Sequence, residues 1–137
     1  MDLDYGAILL ATLAQFALGG IWYMAIFGNI WGKIHGFDKL SKAEQDKARK
    51  EMMPFLILQI VITFVSTVAL AKLLDLLPDY SSYGLAALVW IGFVVPTQIA
   101  AVVFGGTETK NMLVKSSIMA SGSLACYMVA VAILSNF

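Results

Sequence analysis

Charge is scarce in this sequence, and it is missing where chemistry would need it. Only 13% of the 137 residues are charged, against about a quarter in a soluble domain. No Asp, Glu, Arg or His lies in the interior of any of its long apolar runs, Asp75 falling at the end of one. Ionisable side chains at such positions mark proton relays and ion pathways, so proton-coupled transport through a membrane carboxylate is not expected. Histidine occurs once, at His35, with no Cys or His at ligand spacing, so no metal site is legible. Cysteine also occurs once. Cys126 has no disulfide partner and reads as a small packing residue. No serine has an evident base beside it, and the glycines match no phosphate-loop spacing. The formal net charge is zero, which leaves no field to steer nucleic acid. No enzymatic activity, cofactor, metal or nucleic-acid partner is expected.

What the chain has in excess is apolar residues, 60% of the total. They fall into four runs, about 5–27, 53–77, 83–104 and 111–134. Each is long enough to cross a hydrocarbon core of about 30 Å. The pattern predicts an all-α integral membrane protein, one domain over 1–137. It is an antiparallel bundle of four transmembrane helices with a short polar cytoplasmic helix between spans 1 and 2. The start, MDLDY, is acidic where a cleavable signal is basic. The polar segment 33–52 contains Ser41 and Glu44, which fit a capping box. Asp46 and Lys50 are spaced for an i, i+4 pair. Pro54 suits the first turn of a new helix, so the second span is expected to begin there. Pro78 ends it. Gly105-Gly106 ends the third, and Thr107 or Thr109 is placed to cap the fourth.

Basic residues set the orientation. Lys33, Lys39, Lys42, Lys47, Arg49, Lys50, Lys110 and Lys115 lie on one side, and Lys72 alone on the other. Both termini are therefore expected outside. Trp22, Trp31, Tyr80 and Tyr83 are placed as interface anchors at headgroup depth.

The remaining signal is uncharged polar residues within the runs. Gln15, Gly19 and Tyr23 are spaced by four on the first helix, and Gln59, Thr63 and Thr67 by four on the second. Pro96, Thr97 and Gln98 lie together on the third, where the proline frees a backbone carbonyl. Two readings stay open. Gln15, Tyr23, Gln59, Thr63, Pro96, Thr97 and Gln98 line a polar cavity, or these residues only bond helices together. Gly19, Gly20, Ser117 and Ser121 are read as small residues at helix-packing seams. The basic loop is a further candidate for a lipid-headgroup contact.

The block WYMAIFGNIWGKIHG, from Trp22 to Gly36, resembles the signature of the small bacterial membrane proteins known as domain of unknown function 1761. In that family a first helix ends in Trp-Tyr, followed by Phe-Gly, Trp and Gly. The positions here are Trp22, Tyr23, Phe27, Gly28, Trp31 and Gly36. GFVVP, ending at Pro96, and the Phe104, Gly106, Lys110 loop resemble two further family features. The chain departs from the family at Met24-Ala25, where members often carry Ser-Pro. The resemblance implies four spans and a place in the bacterial inner membrane. It implies no activity. The expected function is binding or passage of a small polar or neutral molecule at an uncharged patch between helices. The alternative is a structural or regulatory module working by helix–helix contact. The lipid bilayer and a second copy of the chain, in a homo-oligomer such as a dimer, are the expected partners.

Overall fold

The computed structural model describes residues 2–137. Helix α1, Tyr5–Gly20, starts where the Asp4 side chain accepts the Ala7 amide at 3.0 Å. It passes into a π turn, Ile21–Ile26, and the short helix α2, Gly28–Ile34, follows. Gly36, at φ 71°, reverses the chain into a 3₁₀ turn over Phe37–Lys39. Helix α3 runs unbroken over 35 residues, Lys42–Leu76. Helix α4, Ser82–Val89, leads through a second π turn, Trp90–Val94, into α5, Val95–Phe104. A 3₁₀ turn over Thr109–Asn111 opens α6, Met112–Leu134. There is no strand among the described residues. Four continuous helical stretches are long and apolar enough to cross a membrane: Tyr5–Ile26, Lys42–Leu76, Ser82–Phe104 and Thr109–Leu134.

Several sequence expectations are met locally. Ser41 and Glu44 form the capping box, each side chain bonded to the other's backbone amide. Gly105 follows α5, and Gly106 turns the chain at φ 79°. A Cβ on Gly105 would overlap the Ala101 carbonyl, so only glycine fits.

Others are corrected. Pro54 does not begin a new helix but lies inside α3. The capped polar segment and the apolar span join as one rod, and the proline removes a single backbone bond. Asp46 pairs with Arg49 rather than Lys50, and Lys47 pairs with Glu51. Neither Thr107 nor Thr109 caps α6, because the 3₁₀ turn carries the chain into it instead. The first and third spans are not uniform α-helix, since each contains a π turn.

Helix α6 is the hub. It packs along α1 on one side and along α4, the second π turn and α5 on another. A central cluster joins Ala11, Leu70, Ala86, Ala130 and Val131, all buried. Alanines dominate it, which lets the backbones come close. Helix α3 is attached differently. Only Thr67 and Leu70 are buried on it. Its second half packs on α1 and touches α4 lightly. Its first half meets Phe37 through Gln45 and Arg49 but leaves Met52, Met53, Phe55, Ile57 and Leu58 exposed.

Candidate functional site

Polar side chains inside the four helices meet in two seams. The first joins α1 to α3. Gln15 Nε2 donates to Thr67 Oγ1 at 2.7 Å and to the Ala11 carbonyl at 3.1 Å. Thr67 Oγ1 donates onward to the Thr63 carbonyl. Thr63 Oγ1 donates to the Gln59 carbonyl and accepts from Gln59 Nε2 at 3.3 Å. A stripe of amide and hydroxyl groups therefore runs along α3 from exposed Gln59 to buried Thr67. Residues four apart share a helix face, and that spacing builds the stripe. Cys126 closes its inner end from α6, the Sγ lying 3.6 Å from the Gln15 carbonyl.

The second seam runs along α6. The Trp22 indole donates to the Ile118 carbonyl at 3.1 Å, and the Trp90 indole to the Ala120 carbonyl at 2.9 Å. Each tryptophan sits in a π turn. The Phe27 amide bonds the Trp22 carbonyl, and the Val95 amide bonds the Trp90 carbonyl, both five residues back. The same device thus appears twice, holding carbonyls two residues apart on opposite sides of α6. Ser121 Oγ also donates to the Ile118 carbonyl, and Ser123 Oγ to the Ala120 carbonyl. Ser123 further bonds the Trp90 indole and donates to Gln98 Oε1. Pro96 is the second residue of α5, just past the second π turn, where its missing N–H is absorbed.

A third polar contact lies between α3 and α6, where Ser66 Oγ and Tyr127 OH are 3.3 Å apart. They border a groove of about 250 Å³ whose other walls are Ala69, Leu70, Leu73 and Val89. No charged side chain lines it.

The residues proposed from sequence are therefore divided. Gln15, Gln59 and Thr63 are linked through Thr67. Gln98 is not brought to them; it lies in the α5–α6 seam on Ser123. Thr97 returns its hydroxyl to the Phe93 carbonyl. The Tyr23 ring packs tilted against Trp31 at 4.6 Å, and Trp31 tilted against His35 at 4.6 Å, with Lys115 Nζ over the Trp31 ring. The three glutamines thus do not converge on one cavity, because α6 stands between the α1–α3 and α5–α6 contacts.

The packing residues also change. A Cβ on Gly19 or Gly20 would meet nothing within 4 Å, so no helix approaches there. Ser117 and Ser121 are exposed and bond carbonyls of their own helix. The close approach is at Gly122, under the Trp22 ring. Trp22 turns its indole onto α6. Tyr80 and Tyr83 are exposed around the α3–α4 connection. Trp90 escaped the sequence reading altogether. Its signal was an indole N–H in an apolar run, which needs an acceptor when buried.

Chemically, these seams offer hydroxyls, amides and backbone carbonyls. Among the described residues no cluster of His, Cys, Asp and Glu is arranged to hold a metal ion. Such a surface bonds neutral polar groups.

No curated protein and no solved structure matches the chain. The model of the family described as Protein of unknown function (DUF1761) matches residues 6–135, nearly the whole sequence. The chain belongs to that family.

Proposed function

We propose that the protein is a bacterial inner-membrane protein that binds or passes a small neutral or weakly polar molecule along the α3 stripe. In this reading the four helices cross as an antiparallel bundle with both termini outside. The charge bias of the loops and the four apolar helices support that placement. The carrying observation is Gln59. Its amide stands exposed between Phe55, Leu58 and Ile62, which are exposed too. In hydrocarbon an unmet polar group costs several kcal/mol. Gln59 Nε2 reaches Thr63 Oγ1, but Oε1 and the second N–H of the amide have no partner among the described residues, so a partner for them must come from outside the chain. From Gln59 the stripe continues for eight residues, about 12 Å along the helix, to Thr67 and Gln15. A neutral solute is favoured because no charged side chain lies on that path.

The test is Gln59→Leu in liposomes, with flux of a broad panel of uncharged solutes as the readout. Loss of a flux seen with the native chain, at unchanged assembly, supports the reading. No flux for any solute with the native chain counts against passage. A second reading is favoured by the exposed first half of α3. There the chain is a structural module that pairs with a second copy, as a homodimer. In that case Gln59→Leu shifts the oligomeric state and leaves solute responses alone.

A further inference from the structure

We propose a second site, formed by α2 and the turn that follows it, for a zwitterion bearing an anionic oxygen and a primary ammonium. We assign it to the phosphoethanolamine headgroup of a membrane lipid. A cavity of about 280 Å³ opens between α2, the 3₁₀ turn and the start of α3. Two opposite charges line it, Lys33 and Asp38. Among the described residues no ion pair joins them to each other or to any other group, whereas Asp46 and Arg49, and Lys47 and Glu51, pair along α3. A wall with one free cation and one free anion disfavours a simple ion of either sign. It suits a ligand carrying both.

The rest of the wall fits that class. Gly28 and Gly32, four apart, add no side chain to the α2 wall of the cavity, where the Phe37 side chain packs beside Gly32. Asn29 adds an amide. Gln45 Nε2 is held by the carbonyls of Phe37 at 3.1 Å and Leu40 at 3.4 Å. Its Oε1 is left to accept, as an ammonium requires. Lys33 then takes the phosphate, while Asp38 and Gln45 take the ammonium. The site rests on the membrane reading above. It follows the first span directly, past Trp31, which places it at headgroup depth on the basic face.

The experiment is native mass spectrometry of the full chain in detergent with added phosphatidylethanolamine, phosphatidylcholine or phosphatidylglycerol. The native chain is expected to retain phosphatidylethanolamine about tenfold better than either other lipid. Trimethylation removes the ammonium's N–H donors, and phosphatidylglycerol carries no cation for Asp38. Lys33→Met should lower retention of all three lipids, since each carries the phosphate, and Asp38→Asn should abolish the preference for phosphatidylethanolamine and shift it toward phosphatidylglycerol. Both side chains are exposed, so folding is not at stake. Equal retention of all three lipids by the native chain overturns the proposal, as does a preference that neither substitution alters. Displacement by millimolar free phosphoethanolamine, with no preference among lipids, assigns the site to a soluble zwitterion and overturns the lipid assignment. Carbonate extraction of the membranes separates the two readings. A chain that leaves with carbonate refutes membrane insertion. One that stays yet lacks lipid preference refutes only the site.

Discussion

The Trp22 ring lies where a side chain on Gly122 would be. A Cβ built on Gly122 falls 2.8 Å from two atoms of the indole, closer than packed atoms come. The ring also leans on Phe27, centroids 5.3 Å apart, and its N–H reaches the Ile118 carbonyl. One missing side chain on α6 therefore lets the end of the first span dock. Gly122→Val should destabilise the fold by about 1–3 kcal/mol, the usual cost of overpacking. The measurement is unfolding in detergent. The same substitution in a Trp22→Ala background should cost clearly less, since the clashing ring is gone. Equal costs in the two backgrounds would refute the contact.

The twin clamp at Trp90 makes a different demand. Its indole N–H meets both the Ala120 carbonyl and Ser123 Oγ. Trp90→Phe keeps an aromatic ring but deletes the donor and trims the indole to a single ring. A loss of about 1–3 kcal/mol, the bond plus some packing, is expected. Ser123→Ala removes a second bond to the same group and frees Gln98 Oε1. The two substitutions together should cost less than the sum of each, because they share bonds. Strict additivity, read from unfolding midpoints, would separate the two residues.

Gln15 and Thr67 test the α1–α3 seam. Thr67 is buried and its hydroxyl both accepts and donates. Thr67→Val keeps the shape and leaves Gln15 Nε2 with only the Ala11 carbonyl. Destabilisation of about 1 kcal/mol follows. Gln15→Leu together with Thr67→Val removes donor and acceptor alike and should recover part of that loss. A double variant weaker than both single ones would show that the amide has another partner.

The sequence made the helices legible and left their rotations hidden. Spans are read from run length, and a run of 22 apolar residues has few other homes. Which face of a helix points inward is read from an apolar stripe. Helices such as α6 are apolar nearly all round, so the stripe is absent. That is why Gln98 was grouped with Gln15 although each bonds a different helix. The π turns were hidden for a related reason. Adding one residue to a turn rotates the downstream face, and a uniformly apolar run does not record the rotation. Pro54 misled because a proline between a polar and an apolar stretch reads equally well as a start or as an interior residue.

Ser66 and Tyr127 decide whether the groove between α3, α4 and α6 is a working surface. Their hydroxyls are 3.3 Å apart, near the long end for an O–H···O bond. Each hydroxyl also keeps bonding capacity to spare. If the pair is purely structural, Tyr127→Phe should lower stability by about 0.5–1.5 kcal/mol, and Ser66→Ala should do the same. If the groove is held open for a hydrogen-bonding guest, Tyr127→Phe should cost little. A hydroxyl freed of a weak partner would then lose little by its removal. The added probe is a photoactivatable phenol, with labelled peptides mapped after irradiation. Labelling of Ala69, Leu73 and Val89 in the native chain, reduced by Tyr127→Phe, would mark a guest site. Labelling that ignores Tyr127 would leave the pair as a helix contact, with the α3 stripe the better candidate for binding.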